Sequence, residues 1–246
     1  MNHRDPAKTA ICVLTYNLGD GLAPPDRVVA LIRALRPDIS GLQEVNGAMG
    51  NALPTLADAA PSQIVHPLGI PGKALLSRYP IVSTELLNSD PVRPDLLATI
   101  EMGGVLVTVI VAHPPPPHLT RSGLVDRRGT AAQVADLLGI VAATDGPLLL
   151  LGDLNAVARH TIPRGFTAAG LVDVARAVGH AQPTYPVRLT SPNPGGSRLR
   201  RLPVRPVLRL DYIWASRHWG PISASLGPDA GSDHLPVVAM LELVQG

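Results

Sequence analysis

The run Pro147-Leu148-Leu149-Leu150-Leu151-Gly152-Asp153-Leu154-Asn155 constrains this chain more than any other stretch. It is bounded by Asp145-Gly146-Pro147 on one side and Gly152 on the other, so its length suits a strand better than a helix. It reads as a buried strand that delivers polar side chains at its carboxyl end. Asp153 and Asn155 lie two residues apart and project from one face if the backbone stays extended. A carboxylate and a carboxamide placed together can hold a water, a metal or a phosphoryl oxygen. Taken alone, such a pair more often caps a helix or closes a turn. The argument therefore rests on what else converges there.

Residues 11–14 read as a first strand ending in Thr15-Tyr16-Asn17. Asp26 is placed to cap a helix whose apolar positions Val28, Leu31, Ile32 and Leu35 keep helical spacing until Pro37. A second strand over 39–45 carries Gln43 and Glu44 near its end, and strand, helix, strand in this order suggests a crossover unit. Residues 46–61 are weakly helical and broken at Pro54, with short strands over 63–65 and 72–76. Extended runs over 81–87, 96–102 and 105–112 follow, the last two joined by Gly103-Gly104, a strong hairpin signal. His113 ends the third run, before the stiff proline linker 114–117. Residues 131–143 give a helix with Val134, Leu137, Leu138 and Val141 on one face. After the leucine run, 171–174 start a short helix or turn. Residues 191–205, rich in Pro, Gly and Arg, read as a mobile loop. Two last strands, 208–214 and 235–243, bracket a turn ending in Gly231-Ser232-Asp233-His234.

No polar linker divides the 246 residues, so one domain spanning 1–246 is expected, with 1–9 a flexible tail. A core of this size buries about 70% of the unfolded surface and needs no disulfide. The single Cys12 reads as a small core thiol. The net charge of +2 does not by itself argue for nucleic acid. Its distribution says more: no acidic residue lies between Asp173 and Asp211, while seven arginines do, including Arg198, Arg200 and Arg201. That interval is a local positive field able to contact an anion, and equally able to be a solvated loop. Few aromatic residues argue against a broad base-stacking platform. No apolar run approaches the ~20 residues of a membrane span, and the start lacks a signal peptide, so a cytoplasmic location is expected.

Asn17, Glu44, His113, Asp153, Asn155, Asp211, Asp233 and His234 all fall at or beside expected strands. Hard divalent cations take oxygen ligands, Mg²⁺ often from one or two carboxylates plus water, so Glu44 with Asp233 or Asp153 suffices. Closely spaced His or Cys clusters of the structural zinc type are missing from the sequence. Phosphoryl transfer needs charge neutralisation, a positioned water and donors to the nonbridging oxygens, which suits His113, His234, Asn17 and Asn155.

In order, Thr15-Tyr16-Asn17, Leu42-Gln43-Glu44-Val45, Ala74 to Ile81, Ala112-His113, Gly152-Asp153-Leu154-Asn155, Leu210-Asp211-Tyr212-Ile213 and Ser232-Asp233-His234-Leu235-Pro236 resemble the endonuclease/exonuclease/phosphatase superfamily. Each piece is weak and their collinear order is specific. The resemblance implies a DNase I-like, four-layer α/β sandwich: two packed mixed β-sheets flanked by helices, with the site at one edge. It implies that Glu44 is the central ligand of Mg²⁺ or Mn²⁺, with Asn17 and Asp233 close to the metal. Asp153 and Asn155 then orient the attacking water or a second metal, and His113 contacts the phosphate. His234 acts as base or phosphate ligand, oriented by Asp211, whose alternative partner is Arg209. The implied activity is metal-dependent phosphoester hydrolysis by activated water, of the phosphodiesterase or nuclease type, on DNA or RNA. Two other readings are a phosphatase or phospholipase-type hydrolase of a small or lipid phosphate, and a catalytically silent binding module on the same scaffold.

Overall fold

Leu149 and Leu151 point into one apolar layer and Leu148 and Leu150 into another, which is why the leucines run without a polar break. The computed structural model describes residues 10–87, 90, 92–116, 118–119, 125–126, 128–191 and 200–244. The expected tail over 1–9 and Arg198 lie outside them. In chain order the first half contains β1 (Ala10–Asn17), α1 (Pro25–Leu35), β2 (Ile39–Gln43), α2 (Gly47–Ala52), β3 (Ser62–His66), β4 (Lys73–Ser77), β5 (Ile81–Leu87), β6 (Asp95–Met102) and β7 (Val105–Ala112). The short strands β8 (His118–Leu119) and β9 (Val125–Asp126) lead to α3 (Arg128–Ala143), β10 (Leu148–Asp153), α4 (Thr161–Ala168), β11 (Val172–Asp173) and α5 (Val174–Ala177). The chain closes with β12 (Arg188–Ser191), β13 (Arg200–Pro203), β14 (Asp211–Ala215), β15 (Trp219–Leu226) and β16 (Val237–Leu243).

Two six-stranded mixed sheets, ordered β15-β16-β1-β2-β4-β3 and β11-β14-β10-β7-β6-β5, pack face to face. Ile11, Val13, Ile39 and Leu75 of the first meet Val109, Val111, Leu149, Leu151 and Ile213 of the second. The outer face of the first sheet presents Leu14, Tyr16, Leu42 and Leu76 to Val28, Leu31 and Ile32 of α1 and to Met49 of α2. The outer face of the second presents Ile110, Leu150 and Trp214 to Val134, Leu137 and Val141 of α3 and Phe166 of α4. Three apolar layers between four structural layers make the α/β sandwich that the resemblance implied.

Strand direction decides where the chemistry lies. β1 runs parallel to β2, and β7 parallel to β10, so Asn17, Gln43, Ala112 and Asp153 end their strands at one edge of the sandwich. Antiparallel β14 and β16 start at that edge, setting Asp211 opposite Asp153 and the turn before β16 beside the end of β1. Gly152 lies against β7 so closely that a Cβ there would stand 1.9 Å from the Ala112 carbonyl oxygen. Gly152→Ala is therefore expected to cost about 3 kcal/mol, read as a fall in thermal melting temperature. A melting curve matching the wild type would show that the two strands separate easily.

Several expectations need correction. The first helix is capped by Pro24 with Pro25 in its first turn, so Asp26 sits inside the turn and is not the cap; proline is pre-set for that position. Two last strands become three, because β15 forms an edge strand between the expected pair. Of the expected mobile loop 191–205, residues 192–199 lie outside the described residues, and 200–203 form β13, which pairs with β12 as a two-stranded ribbon. The described prolines of the linker after His113 are tied to the body of the fold, since the Pro114 carbonyl accepts from Asn155 Nδ2 at 2.9 Å and the Pro115 carbonyl from Thr130 Oγ1 at 2.9 Å, while Pro117 lies outside the described residues. Among the described residues no helix is long and apolar enough to cross a membrane.

Candidate active site

Glu44 follows β2 with φ 57°, and Asn155 follows β10 with φ 48°, both in the left-handed region that non-glycine residues rarely occupy. The turn at Glu44 is held by backbone bonds from Val45 N to the Gly72 carbonyl (3.2 Å) and from Gly69 N to the Val45 carbonyl (2.9 Å). Gly72 permits this approach, since a Cβ there would lie 2.0 Å from the Val45 oxygen. Asn155 is fixed by its own N–H donating to Asp153 Oδ1 at 2.8 Å. Backbone strain kept in place by such bonds commonly marks a functional site.

Between these strand ends is a cleft of about 520 Å³ whose lining includes Glu44, His113, Asp153, Asn155, Asp233 and His234, together with Arg93 and Tyr185. Asn17 Nδ2 donates to Glu44 Oε1 at 3.2 Å and to Asp153 Oδ2 at 3.0 Å, so one amide bridges a carboxylate from each sheet. His113 Nε2 lies 3.7 Å from that Glu44 oxygen and 3.8 Å from that Asp153 oxygen. His234 Nε2 faces Asp153 Oδ2 at 3.6 Å, while its Nδ1 donates to Asp211 Oδ2 at 2.9 Å. Ser232 Oγ donates to the Asn17 carbonyl at 2.7 Å and accepts from His234 N at 3.2 Å, locking the turn before β16 onto the end of β1. All eight residues singled out in the sequence thus converge, Asn17 and Asp211 standing behind those that line the cleft.

The two histidines are driven in opposite directions. Burial lowers His113 well below its ordinary value, and the nearby Lys73 and Arg93 cations add to the effect. Its 3.7 and 3.8 Å contacts with carboxylates are therefore not ion pairs, and the ring is neutral. Burial also works against a charged His234, but Asp211 and Asp153 outweigh it and push its pKa to about 10. Asp153 is raised to about 7 by burial, with Asp211 adding to the rise and His234 opposing it. Glu44 is raised as well, again by burial first. One neutral imidazole, one imidazolium and a carboxyl able to gain or lose a proton near neutrality now share a cleft, which is the separation of pKa values that acid–base chemistry uses.

Asp211 does not pair with Arg209, the alternative weighed from sequence. Arg209 instead engages Asp173 and lies over the Tyr212 ring, 4.3 Å from its centroid. Sequence reasoning did not find Tyr185, whose ring centroid stands 4.6 Å from that of His234. Nor did it single out Arg93, at the start of the second sheet's hairpin, or Thr184, whose hydroxyl accepts from Leu210 N at 3.1 Å and steadies the approach to Asp211. Ser232 could have been found, since it stands directly before Asp233-His234.

The donor set fits a hard divalent cation. Glu44 and Asp153 share a single amide donor, Asp233 lines the same cleft, and burial holds both shared carboxyls above their usual range. Asp153, Asp211 and His234 also present ligand atoms within 4.8 Å of one another. Asp211 and His234 are already bonded to each other, so the carboxylate-rich side, toward Glu44 and Asp233, suits a hard divalent cation better.

A sequence profile of the endonuclease/exonuclease/phosphatase family matches residues 14–234. This chain belongs to that family. Members of the endonuclease/exonuclease/phosphatase family are metal-dependent hydrolases of phosphoester bonds, and the chain is an enzyme of that class. Solved structures with a similar fold include an endonuclease/exonuclease/phosphatase from Beutenbergia cavernae, 24% identical, covering 96% of this chain and 72% of that one, TM-score 0.74. Another from Bacteroides vulgatus is 18% identical, covering 96% and 99% of the two chains, TM-score 0.71. D. rerio TDP2, solved with a single-strand DNA product, is 16% identical, covering 95% and 99%, TM-score 0.67. No curated protein sequence matches.

Proposed function

We propose that this enzyme is a Mg²⁺- or Mn²⁺-dependent phosphodiesterase of nucleic acid, built as one domain. The observation that carries the reading is the Asn17 amide bridging Glu44 and Asp153, with His113 and His234 aimed at the same two carboxylates. Glu44 and Asp233, with Asn17 beside them, would hold the cation, which when bound would supply Lewis-acid charge neutralisation on the phosphoryl group. Asp153, at a pKa of about 7, accepts a proton from the attacking water as its oxygen bonds to phosphorus. His234, kept cationic and aimed by Asp211, hands a proton to the leaving oxygen as the phosphorus–oxygen bond breaks. His113 and Asn155 contact nonbridging oxygens, and Arg93 offers the cleft a permanent positive charge. The similarly folded TDP2, captured with single-strand DNA, supports a nucleic-acid substrate.

Arg198, Arg200 and Arg201 are proposed as further backbone contacts; Arg200 and Arg201 belong to β13 and Arg198 falls outside the described residues. Two other arginines of that interval are already engaged, Arg188 with Asp229 and Arg209 with Asp173. A second reading, hydrolysis of a small or lipid phosphate, is favoured by one feature: the cleft lining also includes the apolar side chains Ile70, Val157, Ile162, Leu208 and Leu210. Turnover of DNA, RNA, bis-p-nitrophenyl phosphate, inositol phosphates and sphingomyelin, each with Mg²⁺ and Mn²⁺, separates the two. Nucleic-acid cleavage that weakens steeply with salt is the expected result. Turnover confined to inositol phosphates or sphingomyelin overturns it, and no turnover with no metal binding leaves a silent module.

A further inference from the structure

Directly beneath His113, the two sheets are joined by a pair of charges that the mechanism above does not use. Lys73 opens β4 of the first sheet and Asp95 opens β6 of the second; each is 1% exposed, and Lys73 Nζ lies 3.9 Å from Asp95 Oδ1. That same Asp95 oxygen accepts the His113 backbone N–H at 2.9 Å, and its other oxygen accepts Gln133 Nε2 of α3 at 2.6 Å. Lys73 in turn stands across the ladder from Gln43, one residue before Glu44, and follows the Gly72 whose carbonyl holds the Glu44 turn. The pair therefore links the segment that places Glu44 to the segment that places His113.

A buried ion pair adds little stability, because removing two charges from water costs about as much as their attraction returns. Its retention beneath a site assembled from two sheets calls for another reason. We propose that Lys73 and Asp95 are positioning residues, a cross-sheet ion pair that sets the separation between Glu44 on one sheet and His113 with Asp153 on the other. The proposal rests on the phosphoester-hydrolase reading of the cleft. Among the described residues the Lys73 ammonium has few partners for a buried cation: the Pro71 carbonyl at 3.2 Å and the Asp95 carboxylate. Burial draws its pKa down to about 8, with Asp95 opposing that fall; Arg93, Asp90 and Glu44 also face it, as do His113 and, on the neighbouring strand, His66. The cation, and with it the pair, is thus lost on the alkaline side of neutrality.

The test compares wild type, Lys73→Met, Asp95→Asn and the double variant on bis-p-nitrophenyl phosphate with Mn²⁺. Asparagine keeps an acceptor for the His113 N–H, and the Gln133 amide can turn its free Oε1 toward it. In the single variants kcat is expected to fall about tenfold to a hundredfold with KM within about twofold. The wild-type kcat should decline through about pH 8, a limb missing from Lys73→Met. The double variant, which buries no charge, should regain melting temperature without regaining kcat. A second readout needs no activity: in metal-free protein at fixed pH, the His113 ring resonance, identified by its loss in His113→Gln, should shift in the double variant. A folded double variant with wild-type kcat and an unmoved resonance overturns the positioning role. A wild type inactive on every phosphoester sinks the hydrolase reading instead, and the resonance alone then decides whether the pair places His113.

Discussion

Glu44→Gln is expected to cut phosphoester turnover about a thousandfold, the size that follows when several kcal/mol of charge stabilisation is lost. The same substitution should remove most of the stabilisation that metal gives the folded protein. Glu44 and Asp153 are both raised above their ordinary values, Asp153 to about 7. For a group raised in the folded state, the stability contribution is fully present below the unfolded pKa and is lost as pH rises through the folded one. Between about pH 4 and pH 7 the protein therefore loses stability from Asp153 as that carboxyl ionises. A cation that binds the ionised forms reverses this, so Mg²⁺ or Mn²⁺ should raise the melting temperature more at pH 8 than at pH 5. At a hundred times its Kd the metal adds about 2.7 kcal/mol. An equal rise at both pH values, or one undiminished in Glu44→Gln, would place the metal elsewhere.

Asp211→Asn should lower kcat by about 10- to 100-fold while leaving KM nearly unchanged, as expected when the partner that aims a working histidine is neutralised. Asp211 bonds His234 Nδ1 and is the foremost cause lifting that ring to about 10. The variant's imidazole should titrate well below this value, moving the upper alkaline limb of the rate profile toward neutrality. The sign for stability follows from the raised pKa. The His234–Asp211 contribution is fully present below about pH 6.5 and is lost as pH rises through about 10. The melting difference between wild type and Asp211→Asn should therefore be largest near pH 6 and shrink toward pH 10. A constant difference would show that His234 is not the titrating group.

The edge of the sandwich was legible because each polar residue there directly follows or precedes an apolar run, and burial forces such runs into strands with few alternatives. Asp153 after four leucines and His113 after the 105–112 strand are of this kind. The strand β15 escaped notice for the opposite reason. It lies at the edge of its sheet with Ile222 and Ser223 exposed and a register shift at Pro221, so neither alternation nor continuity marks it. Tyr185 sits in a stretch with little regular structure, and only tertiary packing brings it over His234. Lys73 and Asp95 were passed over because lysine and aspartate belong on surfaces in all but a few cases. Their partners come from distant strands, which sequence spacing cannot reveal.

The place of β1 in its sheet has a consequence for how the enzyme comes into being. This first strand lies between β2 and β16, and β16 is made some two hundred residues after it. Ser232 and His234, which close the site against Asn17, are synthesised just before β16. A nascent chain can assemble the helix face of α1 against β2, but the edge of β1 waits unpaired through the synthesis of some two hundred residues. Catalysis thus waits until Ser232 and His234 have been made and β16 has paired with β1, and a chain that stops short of them cannot close the site.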